Sequence, residues 1–186
     1  MSTKRDEIIT TTCRLLELQG YRATGINEII RESGAPKGSL YHYFPEGKDE
    51  LAAEAIAHSA AAIAANIEGV LGEHADAAEA VTTFIRRLAG YVAASDFRQG
   101  GAITAVALEA ASTNERLRLA CRDGYRAWQR CFADKLRPAY GPRAERLAAL
   151  IIAAIEGGIV LARSEQSEQP VLEVADEVEQ LLGIRG

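Results

Sequence analysis

Apolar residues recur at helical spacing along nearly the whole chain, and the alternation of Val, Thr and Tyr that marks strands is nearly absent. Ile8, Ile9, Cys13, Leu15 and Leu16 form the first stripe, on a helix that begins after Ser2 or Thr3 and stops at Gly20. Thr24 has the character of an N-cap for a second helix carrying Ile26, Ile29 and Ile30, and Gly34 supplies the left-handed residue that ends it. Pro36 suits the first turn of a third, shorter helix, in which Leu40 and Phe44 are the inward pair at i, i+4. Two short helices around a tight glycine turn, followed by Pro45, make a helix-turn-helix over residues 26–44.

The same periodicity predicts a long helix over 48–71 and further helices over 77–95, 103–111, 115–136, 143–163 and 170–182. The breaks fall at 72–76, at 96–101 and at Pro138 with Gly141-Pro142, which close the seventh helix. The fold class is therefore all-α: a three-helix N-terminal helix-turn-helix head over 1–47 and a six-helix domain over 48–186.

Composition narrows the class. With 48% apolar residues in 186, a real core can form, and disorder, collagen-like repeats and a disulfide scaffold are disfavoured. Cys13, Cys121 and Cys131 form no Cys-x-x-Cys pair and read as small core residues in a reducing compartment. Residues 1–7 run into the first amphipathic segment without the apolar stretch of a secretion signal, so a cytoplasmic protein is expected. The run 147–162 is nearly all apolar but short of about 20 residues. It also carries Glu156, which favours a helix buried on two sides over a membrane span. The net charge of −5 is unevenly spread, since residues 1–45 hold six basic and five acidic side chains. Net charge thus neither requires nor forbids nucleic acid.

The chemistry concentrates in residues 34–44. With Leu40 and Phe44 inward, Ser39, His42 and Tyr43 project from other sides of the helix, where hydroxyl, imidazole and phenol can meet bases or phosphates. Gly38 permits close approach to a DNA backbone. Tyr41, His42 and Tyr43 can equally be an aromatic cluster packing helix three on helix one. Elsewhere the apparatus of catalysis is missing. Residues 20–25 have the outer glycine spacing of a phosphate loop, but Ile26 and Asn27 stand where Lys and Ser/Thr are required. His42, His58 and His74 are far apart and no HExxH occurs, so no metal is expected. No nucleophile elbow and no cysteine with a nearby histidine is present, and no enzyme activity or cofactor is expected.

The stretch from Arg5 to Leu51, with Ala23-Thr24 opening helix two, Gly34 in the turn, GSLYHYF as helix three and Lys48 opening helix four, resembles the DNA-binding domain of TetR-type transcriptional regulators. GSLYHYF followed by Pro-Glu-Gly-Lys-Asp-Glu-Leu, together with residues 101–109 and 155–163, is similar to the branch with an LmrA/YxaF-like C-terminal domain. One departure is Ala102, where that branch often has proline. The resemblance implies that Thr24 caps helix two beside a phosphate, that Lys37, Ser39, Tyr41, His42 and Tyr43 meet DNA, and that Lys48 lies against the backbone at the start of helix four. An N-terminal amide array plus a lysine makes an anion site, which agrees in kind. Base readout should rest mainly with Lys37, Gly38, Ser39 and His42, as the phenols and Lys48 position more than they specify, and no bidentate arginine is available on helix three.

The resemblance also implies a ligand among helices five to seven. Phe84, Leu88, Tyr91, Phe97, Ile103, Leu108, Tyr125, Trp128 and Phe132 are the candidates, although most of them must be core. Glu109 and Glu156 lie in apolar helices and need a partner if buried: an arginine, a solvated edge or a ligand donor. Helix eight is apolar on more than one face. Leu147, Ile151 and Ile155 line one side, and Ile152, Ile159 and Val160 another. With Val171, Val174, Val178, Leu181 and Leu182 of helix nine, the excess suggests a four-helix bundle between two subunits, with Ala154, Gly158 and Ala162 allowing close approach. The alternative covers both faces within one subunit. The expected function is a homodimeric repressor released from a double-stranded DNA operator by a small apolar effector, with no membrane partner. The competing reading is a helical ligand carrier or partner-binding scaffold without DNA affinity.

Overall fold

Helix α1 (Lys4–Ala23) opens on a capping box: the Asp6 amide donates to the Thr3 hydroxyl at 3.2 Å, and the Thr3 amide donates to the Asp6 carboxylate at 2.9 Å. The computed structural model describes residues 3–183, the side chain of Ala102 excepted. After α1 come α2 (Ile26–Ser33), α3 (Lys37–Tyr43), α4 (Lys48–Gly72), α5 (Ala77–Ala94), α6 (Ala102–Ala110), α7 (Glu115–Tyr140), a 3-10 turn at Gly141–Arg143, α8 (Ala144–Glu165) and α9 (Gln169–Gly183). Among the described residues there is no strand, and the fold is all-α.

Two boundaries differ from expectation. Thr24 does not cap α2. It is buried, and its hydroxyl donates back to the Gly20 carbonyl oxygen at 2.7 Å, closing the end of α1, while Gly25 takes the N-cap position of α2 without a side-chain bond. Pro138 does not close α7, which runs on through its last turn to Tyr140. Proline costs one backbone donor and tends to kink a helix, but the flanking bonds of a terminal turn can carry the chain past it. Gly34 behaves as predicted, with φ 63° ending α2 in the left-handed region.

The chain packs as two compact units, Met1–Ala61 with Gly101–Gly124, and Ala62–Gly100 with Tyr125–Gly186. In the first, Ile8, Ile9, Leu15, Ile29, Ala35, Leu40, Phe44 and Leu51 form one buried cluster that holds α1, α2, α3 and the start of α4 together. Helix α6 lies on α1 and belongs to this unit, so the packing cuts across the expected boundary after residue 47. In the second unit, α9 packs on α5 and α8, with Val171, Ala175, Val178 and Leu182 buried. The Tyr140 hydroxyl donates to the Leu182 carbonyl oxygen and secures the end of α9.

Candidate nucleic-acid interface

Helix α3 is anchored by two side chains. Leu40 and Phe44 are fully buried, one turn apart, and the Arg5 guanidinium stands 5.5 Å from the Phe44 ring centroid. With those positions fixed, Lys37, Gly38, Tyr41, His42 and Tyr43 are exposed and Ser39 is half-buried. A Cβ added at Gly38 would meet nothing within 4 Å, so the surface there is open to close approach. The His42 and Tyr43 rings meet edge to face at 5.2 Å, while Tyr41 remains 45% exposed. The aromatic cluster thus lies on the outside of the head instead of sealing α3 to α1.

Most other cations of the head are already engaged. Arg14 pairs with Glu32, Arg5 with Glu54, and Arg31 with Glu28 and Glu32 at 3.5 and 3.4 Å. Lys48 is turned inward: its ammonium donates to the Tyr21 carbonyl oxygen at 2.7 Å and lies 4.1 Å from the Tyr21 ring centroid. Partial burial lowers its pKa, opposed by the nearby carboxylates of Asp49 and Glu109. Thr24 and Lys48, expected beside phosphates, each donate to a backbone carbonyl at the end of α1, Thr24 to that of Gly20 and the half-buried Lys48 to that of Tyr21. The exposed residues of α3 face outward alongside the exposed Arg22, Asn27 and Arg31 of the head.

Sequence reasoning missed the polar contacts on the other side of this head. The Tyr21 hydroxyl donates to Asp49, whose second oxygen accepts from Asn114 Nδ2 at 2.6 Å. The Arg22 amide donates to Glu109 at 2.7 Å, and Arg116 pairs with Glu46. These partners lie 28 to 87 residues apart, beyond the reach of any periodicity.

Residues 8–55 match the description "Bacterial regulatory proteins, tetR family", and residues 77–177 match "Transcriptional regulator LmrA/YxaF-like, C-terminal domain". The chain belongs to the TetR family. It is 38% identical over 184 residues to the HTH-type transcriptional regulator YxaF of Bacillus subtilis, covering 98% of this chain and 96% of that one. It is 36% identical over 180 residues to LmrA of the same organism, covering 96% of each. Solved structures share the fold: the reduced form of Escherichia coli NemR superposes with a TM-score of 0.85 at 18% identity over 96% of each chain. A TetR regulatory protein from Rhodobacter sphaeroides gives a TM-score of 0.85 at 22% identity, over 96% of this chain and 98% of that one. This TetR-family protein is accordingly a DNA-binding transcriptional regulator and not an enzyme.

In this TetR-family regulator the expected pocket residues divide between the two units. Phe84 and Phe132 meet edge to face at 5.5 Å, and Tyr125 and Trp128 at 5.4 Å, both pairs in the second unit. Leu88 and Phe97 are half-buried there, Phe97 in the left-handed region at φ 56°. Tyr91 is about half exposed, and its hydroxyl donates to Gln99 at 3.0 Å. Ile103, Leu108 and Glu109 belong to the first unit: Ile103 is buried, Leu108 is 79% exposed, and Glu109 is committed to the Arg22 amide. Leu108 faces solvent, whereas Glu109 faces α1 at the break beside Gly20. Glu156 is half-buried.

The expected dimer residues are mostly used within the subunit. Leu147, Ile151, Ile155, Gly158, Ala162 and Val178 are buried, and Ala154, Val174 and Leu181 are half-buried. A Cβ at Gly158 would lie 3.2 Å from Val174 Cγ2, so the small residue seats α9 on α8 in the same chain. The apolar positions of α8 that remain exposed are one step round the helix: Leu150 (52%), Val160 (50%) and Leu161 (54%), with Ala153 and Gly157 beside them.

Proposed function

We propose that this TetR-family regulator is a cytoplasmic, homodimeric repressor that leaves its operator when a small apolar effector binds. Residues 1–47 read DNA, and residues 48–186 carry the ligand and dimer functions. The observation that carries the reading is the outward set on α3, Lys37, Gly38, Ser39, Tyr41, His42 and Tyr43, held in place by the buried Leu40 and Phe44. Lysine, hydroxyl and imidazole at the start and middle of a recognition helix can address base edges, and the phenols can position the helix on phosphates.

Dimerisation is supported by the exposed apolar stripe of Leu150, Ala153, Gly157 and Leu161 on α8, flanked by Val160. A monomer gains nothing from leaving these side chains in water. Two α3 helices related by a twofold axis would enter successive major grooves of a near-palindromic site, about 34–36 Å apart. The aromatic pairs Phe84–Phe132 and Tyr125–Trp128 support an apolar effector. Such an effector shifts the DNA-free conformation only by its difference in affinity for the two states, about 1–3 kcal/mol.

The experiment is a salt titration of binding to the DNA that precedes the gene. A specific complex whose affinity falls steeply with salt is expected, with a slope set by the phosphates contacted. A protein that forms no specific complex at any salt is a carrier or scaffold instead.

A further inference from the structure

Helix α1 breaks at Gly20, where φ is 78°, and resumes for one short turn before α2. A Cβ at residue 20 would lie 2.0 Å from Glu109 Oε1, so only glycine admits the carboxylate of α6 to the break. Through its other oxygen Glu109 accepts from the Arg22 amide at 2.7 Å, and the Arg22 guanidinium donates to the Glu109 carbonyl oxygen at 3.4 Å. A helical turn that restarts leaves its first amides without partners, and a carboxylate is the strongest acceptor for them. The same short segment is held from α4, where Lys48 donates to the Tyr21 carbonyl oxygen and Asp49 accepts from the Tyr21 hydroxyl. Thr24 and Gly25, the entry to α2, follow directly.

We propose that Glu109 is a positioning residue for DNA binding: by capping the restarted turn of α1 it fixes the helix-turn-helix to α6, and through α6 to the helix α7 that follows in the chain. The inference rests on the reading of α3 as the DNA-contacting helix. Glu109 touches no DNA in this scheme. It holds the turn from which α2 and α3 are hung, so that both recognition helices of a dimer keep one separation.

The test uses the full chain and the duplex that the wild-type protein enriches from a random-sequence pool. Glu109→Ala is expected to speed hydrogen exchange at the Arg22 amide and to weaken binding to that duplex, each by roughly tenfold, as loss of a charge-assisted cap implies. It should also flatten the dependence of affinity on half-site separation when one base pair is added or removed, which simple destabilisation would not do. Glu109→Gln keeps an acceptor oxygen and should restore most of each property. If the alanine variant does not fold, the glutamine variant carries the test through a smaller rise in Arg22 exchange with a measurable loss of spacing preference. Unchanged exchange at Arg22 overturns the proposal, and so does faster exchange with spacing preference intact. A wild-type protein that enriches no duplex overturns the DNA-binding reading itself.

Discussion

Lys48 donates a hydrogen bond to the carbonyl oxygen of Tyr21 at 2.7 Å while its ammonium stands 4.1 Å from the centroid of the same residue's ring. One side chain thus gives Tyr21 both a hydrogen bond and a cation–π contact, and it joins the start of α4 to the end of α1. Lys48→Ala should therefore lower stability to urea by roughly 1–2 kcal/mol. The salt slope of DNA binding should stay unaltered, whereas loss of a direct phosphate contact would reduce it by about one.

Recognition by α3 should divide by residue. His42→Ala and Lys37→Ala are expected to relax preference at one base pair each, by about 1–3 kcal/mol of discrimination. Tyr41→Ala should weaken binding on all sequences alike, since its exposed phenol positions more than it specifies. Binding to a set of single-base-pair variants of the selected site separates the two outcomes.

Leu161→Glu, alone or with Leu150→Glu, should yield a folded monomer. Both side chains are more than half exposed in the single subunit, so the charge costs nothing there and opposes only a second copy. Sedimentation should show half the mass, circular dichroism an unchanged helix content, and operator binding a large loss.

Alkaline pH should loosen the head through Tyr21. Burial, then the hydrogen bond and charge of Asp49, hold its phenol pKa above the ordinary 10.0. The folded state keeps the proton where the unfolded chain has lost it, so this contribution is present below the unfolded pKa and is lost as pH rises past it. Urea titrations at about pH 9 and about pH 11 should show a steeper loss for wild type than for Tyr21→Phe.

The three thiols should resist alkylation at neutral pH. Burial pushes Cys13, Cys121 and Cys131 each up to about 11, so the nucleophilic thiolate is scarce as well as shielded. Iodoacetamide should label them quickly only after denaturation, as mass spectrometry can follow.

Much of the candidate site was legible in the chain because its signals are local. Leu40 and Phe44 at i, i+4 dictate which sides of α3 face out, and Gly34 with φ 63° makes the turn before it. Thr24 shows the limit of that reasoning. Its residue type suits an N-cap, yet its hydroxyl has a choice of backbone partners, and the Gly20 carbonyl left over by the break in α1 is the one it meets.

Helix α8 marks the same limit on a larger scale. Its periodicity announced two apolar faces but could not say which one α9 covers. Gly158 against Val174 decides that, and Leu150 and Leu161 are left outside. The sequence by itself determined the run of helices, the turn at Gly34 and which sides of α3 face out, because these follow from spacings of four residues or fewer. Only the tertiary structure decided which polar groups are consumed internally. Lys48 meets a carbonyl 27 residues away and Glu109 an amide 87 residues away, and such meetings depend on how helices pack, which no local pattern encodes.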